Sequence, residues 1–177
     1  MNLAGGSLWI VNDSDIKNGT FIIPLSVKRI NRECFARLHH LTQITIPRNV
    51  EIIERNTFIS CRNLISCKIE NPNCILKEGV FFNCRNLQDI ILPNNLKEIP
   101  NSIFCFCSKL QTINLPSTVE EIGNCAFLEC TSLEKLIIPD RVHEITEEMF
   151  ADCKKLKLHW RGRIYTYDDL KEYHVFR

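Results

Sequence analysis

The chain has 177 residues, 45% of them hydrophobic and 24% charged, with a formal net charge of +1. That size and composition point to about one globular domain. A charge so close to zero supplies no global field for nucleic acid or an anionic membrane, and no apolar run approaches the ~18–20 residues of a membrane span.

The segment Met1 to Asn12 lacks a basic n-region, and its apolar stretch is too short for a signal peptide. The expected location is therefore cytoplasmic, or one reached by a specialised secretion route. Residues 1–20 read as an N-terminal cap, with Leu8-Trp9-Ile10-Val11 as a short strand and Asn18-Gly19 as a tight turn before Phe21. Asn12-Asp13-Ser14 and Asn18-Gly19-Thr20 fit the glycosylation acceptor pattern, but without an export signal they read as turn residues.

From residue 21 the chain keeps time. Phe35, Phe58, Phe81, Phe104, Phe127 and Phe150 stand 23 residues apart, as do Leu41, Leu64, Leu87, Leu110, Leu133 and Leu156, and Cys61, Cys84, Cys107, Cys130 and Cys153. A fixed period of this length means a solenoid, in which each unit buries its apolar face only by stacking on its neighbours. Within one unit, Ile44 and Ile46 alternate with Gln43 and Thr45, the pattern of a half-buried strand that Pro47 ends. Val50 and Ile53 turn back into the core, and Asn56 to Cys61 reads as one helical turn with Phe58 and Cys61 on one face. The inward columns are Ile44, Cys67, Ile90, Ile113 and Leu136, then Ile46, Ile69, Leu92, Leu115 and Ile138, and on the return side Ile30, Ile53, Leu76, Ile99, Ile122 and Ile145. Strand spacing makes a six-unit stack about 30 Å long.

The unit Leu110, Ile113, Leu115, Pro116, Val119, Ile122, Ala126, Phe127, Cys130 resembles the BspA-type leucine-rich repeat, and the resemblance covers about residues 21–160. It implies an α/β repeat: a right-handed leucine-rich repeat solenoid of 23-residue units, with a parallel sheet on one face and short turns or single-turn helices on the other. About six units would fill residues 21–158. Cys67, Glu70 and Asn73 depart from the pattern, so a bulge is expected at Asn71-Pro72-Asn73, and Leu38 replaces the first cysteine. The resemblance also suggests adhesion or host interaction.

After Leu156 the rhythm fails: His159 and Arg161 fall in columns that were apolar, while Leu158 and Trp160 take the alternate parity. Residues 159–177 read as a C-terminal cap: a strand through Trp160, a turn at Gly162 and a short helix capped by Asp168. With both ends capped, the chain is expected to be a complete protein.

Chemistry-bearing residues do not converge. Five cysteines share one core column and behave as small buried hydrophobes, reduced in the absence of an export signal. One thiol per unit is not the paired spacing of a zinc site. Cys105 lies outside the column and is the candidate reactive thiol, for a thiol-dependent enzyme or redox sensor. His39, His40, His143, His159 and His174 face no common carboxylate or thiol, and with six glycines there is no phosphate-cradling loop. Lys154, Lys155, Lys157, Arg161 and Arg163 near Trp160 and Tyr165 form the candidate site for nucleic acid or another anion, though Asp168, Asp169 and Glu172 follow at once.

What remains is the outer face of the sheet. Its columns are Gln43, Ser66, Asp89, Thr112 and Lys135, and Thr45, Lys68, Ile91, Asn114 and Ile137. Two isoleucines on a polar strip suit a protein partner. The expectation is a non-enzymatic protein-binding module that uses this face and needs no cofactor, metal or small-molecule substrate.

Overall fold

The computed structural model describes residues 1–173 and 175–176, with side chains through residue 172. His174, one of the histidines weighed above, lies outside the described residues. In chain order the elements begin with β1 (Asn2–Ala4), β2 (Ser7–Ile10), β3 (Arg29–Ile30), β4 (Gln43–Ile46), β5 (Ile52–Ile53), β6 (Ser66–Ile69), β7 (Ile75–Leu76) and β8 (Asp89–Ile91). They continue with β9 (Glu98–Ile99), β10 (Thr112–Ile113), β11 (Glu121–Ile122), β12 (Lys135–Ile137), β13 (Ile145–Thr146), β14 (Lys157–Trp160), β15 (Arg163–Thr166), α1 (Tyr167–Tyr173) and β16 (Val175–Phe176).

These strands wind into a parallel β-solenoid. The alternation read from the sequence is met in β4, where Gln43 and Thr45 are exposed and Ile44 and Ile46 buried. On this front face β4, β6 and β8 pair in parallel with Gln43, Ser66 and Asp89 in register, and β10, β12 and β14 pair likewise. The return segments, expected only to turn inward, form a second set of parallel ladders: β2-β3-β5-β7 and β9-β11. Because β2 already pairs with β3, residues ahead of the first full unit supply a coil of their own.

The helical turn expected at Asn56–Cys61 is absent. Asn56 and Ser60 both lie in the left-handed region (φ 56° and 57°), which turns the intervening peptides out of a helical path. The amides of Asn56, Phe58 and Ser60 then point along the solenoid axis and donate to the carbonyls of Glu78, Val80 and Phe82 at 3.0, 2.9 and 2.8 Å. The same pair of left-handed positions recurs at Gly79 and Asn83, Ser102 and Phe106, and Cys125 and Glu129. Most of these are not glycine, so each carries a backbone cost of roughly 1–2 kcal/mol, offset by the third ladder it makes possible.

Inside this third ladder the six phenylalanines form one column, every ring fully buried, with successive centroids 4.9, 5.4, 5.7, 5.6 and 5.6 Å apart. The cysteine column does more than fill space. Cys61, Cys84, Cys107, Cys130 and Cys153 each donate Sγ–H to the carbonyl of a phenylalanine one coil earlier, at 2.8, 3.1, 3.3, 3.1 and 3.0 Å. A small side chain with one weak donor fits a position that is apolar and yet meets a free carbonyl lone pair.

The departure expected at Asn71-Pro72-Asn73 is an Asx turn, with Asn73 N donating to Asn71 Oδ1 at 3.0 Å. The break in the return ladder comes one coil later and has a different cause. Glu54, Lys77 and Gly123 each donate their amide to the return strand of the preceding coil, at 2.9, 3.0 and 2.7 Å. Pro100 stands at the equivalent place and has no N–H, so β7 and β9 are not joined. A cleft of about 470 Å³ opens there, lined in part by Cys74, Leu76, Lys97 and Asn101.

Gly123 answers a close approach rather than a turn. A Cβ there would stand 2.5 Å from the backbone nitrogen of Asn101 and 2.8 Å from its Cα. Gly123→Val is expected to destabilise the protein by about 1–3 kcal/mol, read as a lowered urea midpoint. A midpoint equal to that of the parent would show that the Asn101 backbone yields freely.

At the N-terminal end β1 and β2 form a hairpin through Gly5-Gly6, and Asn18-Gly19 makes the expected tight turn, both residues at positive φ. Lys17 and Thr20 exchange backbone hydrogen bonds across it at 2.9 Å each. At the other end the last coil is one residue short. Lys135 pairs with Lys157 and Leu136 with Leu158, a step of 22, so Leu158 and Trp160 continue the buried columns. His159 and Arg161, which a step of 23 would carry to those columns, are instead half-buried and exposed. β15 turns back antiparallel through Arg161-Gly162, and α1 follows. Its cap is Thr166, not Asp168. The Thr166 amide and hydroxyl both reach Asp169 Oδ2 at 2.7 Å, and the Asp169 amide returns to Thr166 Oγ1 at 3.3 Å, a capping box.

Candidate interaction surface

Nine of the ten residues expected on the sheet's outer face are exposed, and Ser66 is half-buried. The strands that hold them are short but laterally bonded, so their side chains stand roughly perpendicular to a stiff ladder. The ten do not form one unbroken strip. Pairing runs from β4 through β8 and resumes at β10, so Gln43, Thr45, Ser66, Lys68, Asp89 and Ile91 belong to one sheet while Thr112, Lys135 and Ile137 belong to the next. Asn114 follows the end of β10. A shallow depression lies over each half, one bounded by Gln43, Lys68 and Ile91, the other by Asn114, Ile137 and Arg141.

Ile91 and Ile137 are 55% and 60% exposed, more than either would be on a face covered by its own chain. Lys68 is engaged by Glu70 at 2.9 Å, whereas among the described residues no ion pair joins Lys135 or Lys157 to an acid.

The face also extends beyond the residues found by periodicity. The 22-residue step sets His159 beside Ile137, and the β14–β15 hairpin sets Ile164 beside His159. Ile164 is 60% exposed, so a row Ile137–His159–Ile164 crosses three strands of the outer face. The signal was present as the apolar pair Leu158 and Trp160, whose parity is that of a core strand one residue early.

The basic cluster near the C-terminus is dispersed by the fold. Lys154 pairs with Asp152 at 3.6 Å. The Arg161 guanidinium lies 4.3 Å from the Trp160 ring centroid and donates to the Val142 carbonyl at 3.1 Å. Lys157 belongs to the sheet face, and Arg163 has the opposite parity. Lys154, Lys157, Arg161 and Arg163 therefore do not gather on one face.

Cys105 is not the accessible thiol sought by sequence. It is 2% exposed, and burial, with Cys125 and Glu129 adding unfavourable charge, pushes its thiol up to about 12. A reactive cysteine needs the opposite shift. All ten cysteines are free thiols. His39 and His40 serve a structural end: their amides donate to Asp13 Oδ1 at 2.9 and 3.0 Å and tie the first turn to the N-terminal segment. Among the described residues no group of three or more His, Cys, Asp or Glu is placed to hold a metal ion, and no helix is long and apolar enough to cross a membrane.

Comparison with known proteins agrees with this geometry. No curated protein matches the chain. Among solved structures it is similar to a leucine-rich repeat protein of Bacteroides ovatus, at 27% identity and a TM-score of 0.71, over 78% of this chain and 36% of that one. It is similar in fold to a T. pallidum leucine-rich repeat protein (23% identity, TM-score 0.75, 82% and 70% of the two chains). A leucine-rich cell surface protein of Faecalibacterium prausnitzii is a further fold match (24%, TM-score 0.56, 83% and 55%). The chain spans little more than a third of the length of the Bacteroides ovatus protein. The family described as BspA type leucine-rich repeat region matches in six copies over residues 13–127 and 75–160. With that profile spanning nearly the whole solenoid, the chain belongs to the BspA-type leucine-rich repeat family.

Proposed function

We propose that this chain is a non-enzymatic protein-binding module acting through the outer face of its front sheets. The observation that carries the reading is the pair Ile91 and Ile137, more than half exposed on strands locked in a ladder. Such side chains are presented at little further entropic cost, because the backbone beneath them is already ordered. Hot spots are few and sit in desolvated patches, so two isoleucines in shallow depressions are sufficient anchors. In its finer form the reading assigns the module an adhesion or host-interaction role, exerted in the cytoplasm or after delivery by a specialised secretion route.

The test is affinity capture from bacterial and host lysates with the full chain and with an Ile91→Glu/Ile137→Glu variant. The double variant is expected to keep its thermal midpoint and to lose at least about tenfold in affinity for whatever the parent retains. Equal retention by both would move binding off this face.

A further inference from the structure

We infer that the C-terminal end of the sheet face takes an extended acidic segment of a partner protein, one that alternates carboxylate with aliphatic side chains. The inference rests on the sheet-face reading and names the chemistry of its partner.

Two parallel rows run along the solenoid axis here. One is Ile137–His159–Ile164, and the other is Lys135–Lys157–Thr166, each fixed by strand register across β12, β14 and β15. Neighbouring strands lie ~4.8 Å apart, and residues two apart on one strand lie ~6.8 Å apart, which sets the spacing within and between the rows. Ile137 and Ile164 are each 60% exposed, and Lys135, Lys157 and Thr166 are exposed as well. From Thr112 onward, the charged side chains in the two outer columns are the two lysines, and neither has an acidic partner among the described residues. The opposing charges nearby are Glu134, exposed just before Lys135 and in no ion pair with either lysine, and Asp169, whose Oδ2 already accepts from the Thr166 amide and hydroxyl at 2.7 Å.

An extended peptide sends successive side chains to opposite sides with a repeat of ~6.6–6.8 Å. Laid along the axis over the seam between the rows, it would place every second side chain on the isoleucines and the others toward the ammonium groups. A segment with aliphatic residues in one set and carboxylates in the other matches the two rows in chemistry, and the long Lys135 and Lys157 side chains span the difference between its ~6.8 Å repeat and the ~4.8 Å step of the rows. Like-charge placement would exclude basic segments, which gives the site selectivity as well as on-rate. Nucleic acid fits less well, because the row beside the lysines offers a single half-buried ring, His159, between two isoleucines, and no run of aromatic side chains for successive bases to stack on.

The experiment is selection of a phage-displayed random dodecamer library on the immobilised full chain, with synthetic copies of the winners titrated by fluorescence anisotropy. Lys135→Glu/Lys157→Glu and Ile137→Glu/Ile164→Glu variants are titrated in parallel, alongside a labelled oligothymidylate. Winners are expected to alternate Asp or Glu with Leu, Ile or Val, and to lose about tenfold or more with either variant. Their affinity is expected to fall as salt is raised. Winners that require the isoleucines but ignore the charge reversal overturn the acidic partner while leaving the sheet-face reading intact. Winners indifferent to both variants, or an empty selection, overturn both. Oligothymidylate that binds the parent more tightly than any peptide, and is lost on charge reversal alone, replaces the acidic segment with nucleic acid. All four substituted positions are exposed, and equal thermal midpoints establish that the variants fold.

Discussion

Raising the pH from 8 to about 10.5 is expected to unfold this protein cooperatively. Burial pushes the thiols of Cys34, Cys61, Cys74 and Cys105 up to about 12, and raises those of Cys67, Cys84, Cys107 and Cys130 as well. The folded-state values lie above the ordinary thiol value of about 9. The native state is therefore at no disadvantage well below pH 9, where the thiols are protonated whether folded or not. Above it, the unfolded chain releases protons that the folded chain retains, and stability falls until the folded thiols themselves ionise near 12. At pH 10 each thiol favours the unfolded state by about 1.4 kcal/mol. Eight such groups sum to on the order of 10 kcal/mol, comparable with the ~5–15 kcal/mol that stabilises a typical domain. Circular dichroism against pH is the measurement, with iodoacetamide labelling of intact protein followed by mass. All ten cysteines are expected to label together above the midpoint. A native spectrum with protected thiols at pH 11 would falsify the account.

Phe104→Ala is expected to cost about 3–5 kcal/mol, the upper range for a buried aromatic. Phe104 is fully buried at the middle of the column, stacked on Phe81 and Phe127 with centroids 5.7 and 5.6 Å away. Its backbone is committed too: the amide donates to Ala126 and the carbonyl accepts from Cys130 Sγ. Those bonds hold the coil in place, so the neighbours cannot collapse into the space the ring leaves. A solenoid has only nearest-neighbour coupling, and a defect at the centre weakens both halves at once. Urea unfolding followed by far-UV circular dichroism measures the shift. A cost below about 1 kcal/mol would mean that the column relaxes after all.

The shortened last coil shows where periodic reasoning reaches its limit. A residue can be assigned to a column only while the step holds, and a one-residue loss reverses the parity of everything after it. A 23-residue step carries His159 to a position that is apolar in the earlier units, at the point where the rhythm fails. The pairing of β12 with β14 places it on the outer face, between Ile137 and Ile164. By sequence Ile164 belongs to the C-terminal cap, and no residue near it marks it as part of a face. Likewise, the missing donor at Pro100 was visible in the sequence, but its effect depends on which carbonyl it would have met, and that carbonyl lies 24 residues away at Leu76.

The amino-acid order by itself determined the solenoid, its repeat length, the phenylalanine, leucine and cysteine columns with the strand and return columns up to Leu156, and the side of the sheet on which ten outer residues lie. It could do so because strand alternation and repeat spacing are local properties, written in residue type and interval. Ile90 and Leu115 of the inward columns are nevertheless only partly buried, and the buried column Cys34, Thr57, Val80, Ile103, Ala126 and Met149 emerged only in the structure. Tertiary structure alone decided the rest. It decided that the turns would use left-handed residues and bond between coils instead of forming helices, since that choice depends on carbonyls of the neighbouring coil. It decided that Cys105 would be buried while the basic residues near Trp160 were drawn apart. It also brought Ile164 beside Ile137, because a face is assembled by hydrogen bonds between strands, and those join residues that the sequence keeps far apart.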